Sequence, residues 1–381
     1  MIHKGAENFR VAKYRFELKA LTQIELPRYK GSTFRGAFGG ILRRICCSNR
    51  DVQDCRDCLL KVTCPYAYIF ETRQPPEEIR IKRLRDMPRP FVLEPPLGPR
   101  DTLDKDEVFS FGLILIGRAI DLLPYFLVTF KELGVVGIGR KSPERGIGSY
   151  PTHREPDNTG MRKGSGKSLP TQDRAPLAPD HSPLAQARSS GWPRSRDAGI
   201  SSGRGKFLLH SVYALSQDGQ ESLVYSHEDE MVRNLDRSFT LADLSDTTPV
   251  TRCTIEFLTP TRIRSEGSLG SGVGFHSFFS RLLERIQALS LFHCGGPLDV
   301  DHLALKQKAR SIQAEKSFLS FRDWTRYSSR QKTKMQLGGY KGQIIYSGDL
   351  APFLPFLRMG QYVHVGKNTT FGLGQYRISY E

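Results

Sequence analysis

The second half of the chain alternates strand-like and helix-like segments in an order that few folds accommodate. From residue 254 onward the pattern predicts a strand (254–263), an amphipathic helix (275–292), a hairpin centred on two adjacent glycines (334–346), a short helix (351–359) and a final strand (375–380). Strands are indicated by alternating apolar residues, and helices by apolar residues every three or four positions. This strand–helix–strand–strand–helix–strand order is that of a ferredoxin-like fold.

The first half predicts the same plan more loosely. Apolar and charged residues alternate in a predicted strand (11–26), and Ser32 is a suitable N-cap for the helix after it. A strand (109–117) and a helix (118–133) follow a loop-rich region. We therefore predict an α+β protein of two ferredoxin-like (RRM-like) βαββαβ domains in tandem, spanning 1–240 and 250–381. A doubly wound parallel sheet is disfavoured, because the hairpin signals indicate antiparallel strands.

Between 150 and 205 the composition changes abruptly to Pro, Ser, Gly and Arg without an apolar period. Such a segment cannot offset its ordering entropy by burial, so we predict a disordered insertion. The strand-like run at 206–213 is the one expected directly after the glycine-rich turn at 134–140. The insertion therefore lies inside the first domain, as a passive loop in preference to an RNA-contacting arm.

The charge balance indicates a polyanionic partner. The formal net charge is +16 and the pI about 9.6, which favours phosphate-bearing ligands and salt-dependent binding. No apolar run approaches the roughly 20 residues that span a bilayer, and the first residues lack a signal-peptide core. We expect a cytoplasmic protein, without membrane contact, whose cysteines are reduced.

Five of the seven cysteines fall within 46–66 and predict a metal-binding loop there. The predicted ligands are Cys47, Cys55, Cys58 and Cys64, with Cys46 as an alternative to Cys47. Structural zinc commonly uses two Cys-x2-Cys pairs well apart in sequence, whereas a tight group ending in Cys-Pro also suits a [4Fe–4S] cluster. We favour iron–sulfur over zinc, in a structural role. Reduced core thiols gathered by chance are the alternative, and the polar residues of the loop argue against it.

The stretch before the last strand carries hydrogen-bond donors suited to a phosphodiester backbone. Glycines let backbone N–H groups approach an anion, and aromatic side chains can stack on bases. The predicted RNA-binding residues are Arg326, Tyr327, Arg330, Lys334, Gly366, Lys367, Asn368, Thr369, Thr370, Phe371, Gly372 and Gly374. Trp324 is a further stacking candidate, unless it packs in the core. Neither a P-loop nor a dinucleotide-binding motif fits these glycines.

The order of these pieces resembles one family, the CRISPR-associated endoribonucleases that cut precursor repeat RNA (Cas-six type RAMP proteins). The resemblance is strongest over 250–381 and looser over 26–47 and 113–140. It implies cleavage without a metal or other cofactor, in which a ribose 2′-OH attacks the adjacent phosphate and leaves a 2′,3′-cyclic phosphate and a 5′-OH. It also implies CRISPR repeat RNA (crRNA) as the partner, together with other subunits of a CRISPR effector complex.

The catalytic residues that the resemblance implies are incomplete in this sequence. Family members often carry a His on or near the first helix, but no His occurs between His3 and His153. Tyr29 or Lys30 at the helix entry could serve as the base with a shifted pKa, and Arg35 could hold the phosphate. His364, reaching across from the second half, is the alternative.

Two functions of other classes stay open on the sequence alone. The first is a noncatalytic RAMP-type scaffold that holds guide RNA in an effector complex. The second is an iron–sulfur DNA-processing protein, which would prefer DNA to RNA.

Overall fold

The computed structural model describes residues 5–49, 51–52, 54–71, 87–98, 100–141, 203–233, 235–245, 249–263, 273–328 and 333–380. The strands in this part of the chain are β1 (Arg10–Ala20), β2 (Ile24–Glu25), β3 (Phe91–Glu94), β4 (Thr102–Leu103), β5 (Val108–Ile116), β6 (Ile138–Lys141), β7 (Arg204–Gly205), β8 (Phe207–Leu215), β9 (Glu221–Ser226), β10 (Phe239–Thr240), β11 (Arg252–Thr261), β12 (Gln313–Arg322), β13 (Thr325–Ser328), β14 (Thr333–Gln336), β15 (Gly339–Ser347) and β16 (Tyr376–Tyr380).

The α-helices are α1 (Gly31–Cys46), α2 (Leu123–Val136), α3 (Phe275–His293), α4 (His302–Lys308) and α5 (Leu354–Val363). Short 3-10 turns cover Ala6–Asn8, Leu59–Val62, Gly117–Leu122, Ala242–Leu244, Ala351–Phe353 and Thr369–Phe371, and a π-helical turn covers Ala67–Glu71. None of the helices in the described ranges is both long and apolar enough to cross a membrane.

The first sheet has the strand order β3-β5-β1-β8-β9, with the short β10 also paired to β1. Tyr14, Phe16 and Leu18 of β1 are buried, while the intervening charged residues are half-exposed, as the alternating pattern predicts. Helices α1 and α2 contribute Phe38 and Phe130 to this buried face, where the two rings stack with centroids 5.5 Å apart. The apolar core of the first half therefore lies between one sheet face and two helices.

The second sheet has the order β12-β15-β11-β16, and α3 and α5 supply side chains to its core. In both sheets the strands of a βαββαβ unit occur in the same spatial order: second, third, first, fourth. All strand pairs in the described ranges are antiparallel, so the mixed α and β fold on antiparallel sheets is confirmed and a parallel sheet is excluded for them. The described residues of 1–142 and 203–381 form one unit, in which the two halves share contacts.

The hairpin predicted over 334–346 is wrong in its pairing. Strand β15 pairs with β12, which the sequence did not predict, and β14 pairs with β13 in a separate two-stranded ribbon. The chain passes through Gly338 and Gly339 as it returns from the ribbon to the sheet. A Cβ on Gly339 would lie 2.6 Å from the carbonyl carbon of Thr261, so close approach to β11 explains the glycine.

The start of α1 also differs from the prediction. Lys30 occupies the N-cap position without a side-chain capping bond, and Ser32 is buried within the first turn. The helix entry is therefore held by its packing against other elements and not by a serine cap.

The predicted disordered insertion, 150–205, lies outside the described residues except for 203–205. The described segments beside it, β6 and β7, pair with each other, and β8 then joins the first sheet beside β1. The insertion thus lies in sequence between two paired strands of the first half, β6 and β7.

Candidate nucleic-acid interface

The entry of α1 meets the glycine-rich turn, residues 366–374, although more than 300 residues separate them in sequence. The Tyr29 hydroxyl donates a hydrogen bond of 2.6 Å to the carbonyl oxygen of Phe371. Gly31 touches the same carbonyl, because a Cβ at this position would overlap the Phe371 oxygen. The guanidinium of Arg35 lies 5.1 Å from the centre of the Phe371 ring, a cation–π distance. We call this contact region the junction.

Most of the glycine-rich turn faces the interior of the protein. Thr369, Thr370 and Phe371 are buried, and the N–H groups of Phe371, Gly372 and Gly374 donate to backbone carbonyls. Gly372 has a φ of 82°, and a Cβ there would lie 2.6 Å from the carbonyl oxygen of Leu93. The close approach that the glycines predicted is thus made in part by β3, and within the turn the exposed side chain is Lys367.

Burial shifts the pKa values of Lys30 and Tyr29 in opposite directions. The Lys30 ammonium donates to the Gly98 carbonyl at 3.0 Å, and its side chain is only 4% exposed. Burial lowers the pKa of Lys30, opposed by the charge of Asp101. Burial raises the pKa of Tyr29, so less of the phenolate that would act as the base is present near neutral pH. Of the two candidate bases, Lys30 has the favourable direction of shift.

His364 lies at the centre of a buried cluster that the sequence did not predict. Its Nε2 is 3.1 Å from Glu94 Oε1, and its Nδ1 is 3.2 Å from the Leu373 carbonyl oxygen. A carboxylate and a carbonyl can only accept, so a ring N–H of His364 donates in either bond. Glu94 also accepts from Lys13 at 3.0 Å and from Gln375 at 2.8 Å.

This buried ion-pair cluster joins β1 and β3 of the first sheet to the segments around the glycine-rich turn. Burial alone would raise the pKa of Glu94, but the hydrogen bond from His364 and the charge of Lys13 outweigh burial and lower it to about 2. His364 is 0% exposed and both of its ring nitrogens lie within hydrogen-bond distance of an acceptor, while its catalytic role stays a prediction. The one sequence feature that could have indicated this cluster is Glu94, the single charged residue in the apolar run 91–97.

The ribbon of β13 and β14 carries the predicted basic and aromatic residues away from the second sheet. Arg326 pairs with Met335 and Tyr327 with Lys334 in its backbone register, but the structure does not describe these side chains, and Arg330 lies outside the described residues. The base of the ribbon is tied to the junction by Trp324, whose ring meets Tyr29 edge-on at 4.6 Å between centroids.

One exposed feature next to the ribbon, strand β12, was not predicted from the sequence. Strand β12 is an edge strand with exposed side chains on both faces, among them Phe318, which is 66% exposed, and Phe321. Exposed aromatic rings beside Lys316 and Arg322 suit base stacking next to phosphate contacts. A strand exposed on both faces has no apolar alternation, so no periodic signal could have found it.

The five clustered cysteines line one pocket at the end of α1. They form no disulfide. Burial, the main cause, and the neighbouring Cys64 thiol raise the pKa of Cys46 to about 11. In the described part of the chain, no three Cys, His, Asp or Glu side chains are arranged to hold a metal ion. The predicted ligands therefore line the same pocket, but their side chains are not arranged in a metal-coordination geometry.

Two family models match the chain. Residues 255–376 match the model described as CRISPR-associated endoribonuclease Cas6, and residues 9–149 match a model described as an N-terminal domain. The segment from 255 to 376 is thus similar to the CRISPR-associated endoribonucleases of the Cas6 family, a match that covers about a third of the chain.

A curated relative and several solved structures are also similar. An uncharacterized protein of Archaeoglobus fulgidus is 31% identical over 121 residues, which are 32% of this chain and 39% of that protein. A Cas6 product complex is 14% identical with a TM-score of 0.48, covering 97% of this chain and 100% of that one. Thermus thermophilus Cas6 is 13% identical with a TM-score of 0.46, covering 97% and 99%.

Proposed function

We propose that this protein binds CRISPR repeat RNA and cuts precursor crRNA at the junction. The observation that carries the proposal is the meeting of two distant segments. One is the turn that ends the region matching the Cas6 endoribonuclease model, and the other is the entry of α1, where Lys30 has a pKa lowered by burial. The net charge of +16 supports a phosphodiester substrate.

In the proposed reaction the ribose 2′-oxygen attacks the adjacent phosphorus and the 5′-oxygen leaves. The neutral amine of Lys30 takes the 2′-OH proton, while its N–H remains bonded to Gly98. Arg35 and the exposed Arg28 stabilise the charge on the phosphorane oxygens. The leaving 5′-oxygen takes a proton from water, so the products are a 2′,3′-cyclic phosphate and a 5′-OH. Tyr29 positions the turn through its bond to Phe371.

We further propose that the two βαββαβ units are tandem ferredoxin-like domains, 1–240 and 250–381. The same strand order in both sheets supports this division. RNA would lie over the ribbon and Lys367, which carry predicted RNA-binding residues, and over β12, whose exposed aromatic rings were not predicted. Other subunits of a CRISPR effector complex are the proposed protein partners.

The test is incubation of the purified chain with end-labelled repeat RNA in excess chelator. Cleavage at one position, with a cyclic phosphate on the upstream product, supports the proposal. A matched RNA with a 2′-deoxyribose at that position should stay intact, because it lacks the nucleophile. Binding without a cut would identify a noncatalytic scaffold instead, and preference for DNA would identify a DNA-processing protein.

Replacing Lys30 by methionine should reduce the single-turnover cleavage rate by about 100-fold or more, because the proposed base is lost. Repeat-RNA affinity should stay near that of the parent. Lys131→Met is the matched control, since Lys131 pairs with Glu230 on the surface of α2. Equal cleavage rates for both variants would exclude Lys30 as the base.

Replacing Lys367 by alanine should weaken RNA binding equally across sequences. One lost phosphate contact should make the slope of log affinity against log salt shallower by up to about one unit. The measurement is equilibrium binding at several salt concentrations, again with Lys131→Ala as control. An unchanged slope would remove Lys367 from the RNA interface.

A further inference from the structure

The segment that follows α1, residues 47–64, has little apolar burial among its described residues, which are all but 50 and 53. Its 3-10 turn, Leu59–Val62, contains no buried residue, and Leu59 and Val62 are 93% and 71% exposed. We call this segment the Cys loop. Ordering a loop costs conformational entropy, and segments without a core of their own commonly depend on a disulfide or a metal. The Cys loop contains no disulfide.

The Cys loop is nevertheless folded back onto the end of α1. Arg43 of α1 donates to the Val52 carbonyl at 3.3 Å, and Lys61 donates to the Arg56 carbonyl at 2.9 Å. The first bond joins the loop to α1, and the second lies within the loop. All five cysteine side chains line the pocket at the end of α1, together with Lys61 and Tyr66.

One of the five cysteines lies in a helix, and the other four lie in the loop. Cys46 is the last residue of α1, so the helix fixes its backbone. Cys47 already has extended backbone, with φ of −85° and ψ of 107°, and belongs to the loop. Cys55, Cys58 and Cys64 lie in the bends and short turns that follow. Zinc requires four such sulfurs at about 2.3 Å from one ion.

We propose that Cys47, Cys55, Cys58 and Cys64 bind one thiophilic metal centre, a zinc ion or a [4Fe–4S] cluster, that fixes the Cys loop on the end of α1. Four thiolates satisfy either centre. Binding releases the thiol protons, and its free energy adds to the stability of the folded state. The proposal concerns stability and is independent of the proposed RNA cleavage.

The first experiment is metal analysis of the full chain after purification without oxygen. About one zinc per chain would identify a zinc site, and about four irons with broad visible absorption would identify the cluster. Absence of both metals, together with no zinc uptake by the reduced chain, would overturn the proposal. The unbound thiols should react with an alkylating reagent, and the four named ones should be protected once metal is bound.

The second experiment uses Cys58→Ser with Cys46→Ser as the matched control from the same pocket. Cys58→Ser should lose most of the metal and lower the melting temperature, whereas Cys46→Ser should keep both near the parent values. Metal content unchanged in Cys58→Ser would overturn the ligand assignment. If Cys58→Ser does not fold, the parent chain is tested instead. Removal of its metal by a competing chelator should then lower its melting temperature and expose four thiols to alkylation. An unchanged melting temperature would overturn the stabilising role.

Discussion

Replacement of Gly31 by alanine is expected to destabilise the protein by about 2–3 kcal/mol, although alanine normally favours a helix. The added Cβ would overlap the carbonyl oxygen of Phe371. That oxygen belongs to the backbone and also accepts the Tyr29 hydrogen bond, so it cannot move without shifting the turn. Denaturant unfolding of parent and variant measures the difference in the free energy of unfolding. RNA cleavage should fall as well, because the proposed base precedes Gly31 directly.

Gly36 offers a matched control in the same helix. It is exposed, so alanine there should stabilise the protein by about 0.5–1 kcal/mol through helix propensity alone. If Gly31→Ala were as harmless as Gly36→Ala, the junction would not be the tight contact described above.

Replacement of Glu94 by glutamine is expected to cost about 3–5 kcal/mol at neutral pH, because it removes the buried carboxylate that accepts from His364, Lys13 and Gln375. Glu221→Gln is the control for a surface pair. Glu221 meets Arg15 at an exposed site and should contribute about 1 kcal/mol or less. Equal costs for both substitutions would show that the buried ion-pair cluster contributes no more than a surface pair.

The difference in stability between the parent and Glu94→Gln should depend on pH, and the sign of this dependence follows from the pKa of Glu94. The pKa of Glu94 is lowered from 4.5 to about 2, so its contribution is complete above pH 4.5 and is lost as the pH falls through about 2. The parent should therefore lose stability relative to Glu94→Gln across this window. Unfolding free energies measured at several pH values test this, and a difference that stays constant from neutral pH to pH 2 would contradict it.

The sequence predicted the elements whose signal is local. The periods of β1, β11 and α3 are strong because each element has one apolar face on a core, and their order gave the antiparallel fold. Strand β12 has no such face, so it was missed and its partner β15 was paired wrongly.

The candidate site was predicted in part, because its contacts are long-range. Glycine at 372 predicted close approach of its backbone to an anion, whereas its neighbour in the structure is Leu93, which no local pattern connects to it. His364 was interpreted from its place beside the turn, whereas its surroundings depend on Glu94, 270 residues away. Local chemistry therefore identified residues of the junction but not the partners that determine what each can do.

Cross-linking of repeat RNA to the full chain tests the central claim most directly. Photoreactive uridines placed around the cleavage position would be irradiated in the complex, and the labelled peptides identified by mass spectrometry. The account predicts labels on peptides containing Arg28 and Lys367, competed away by unlabelled repeat RNA. Labels confined to peptides remote from the junction, such as those containing Glu221 of β9, would contradict it.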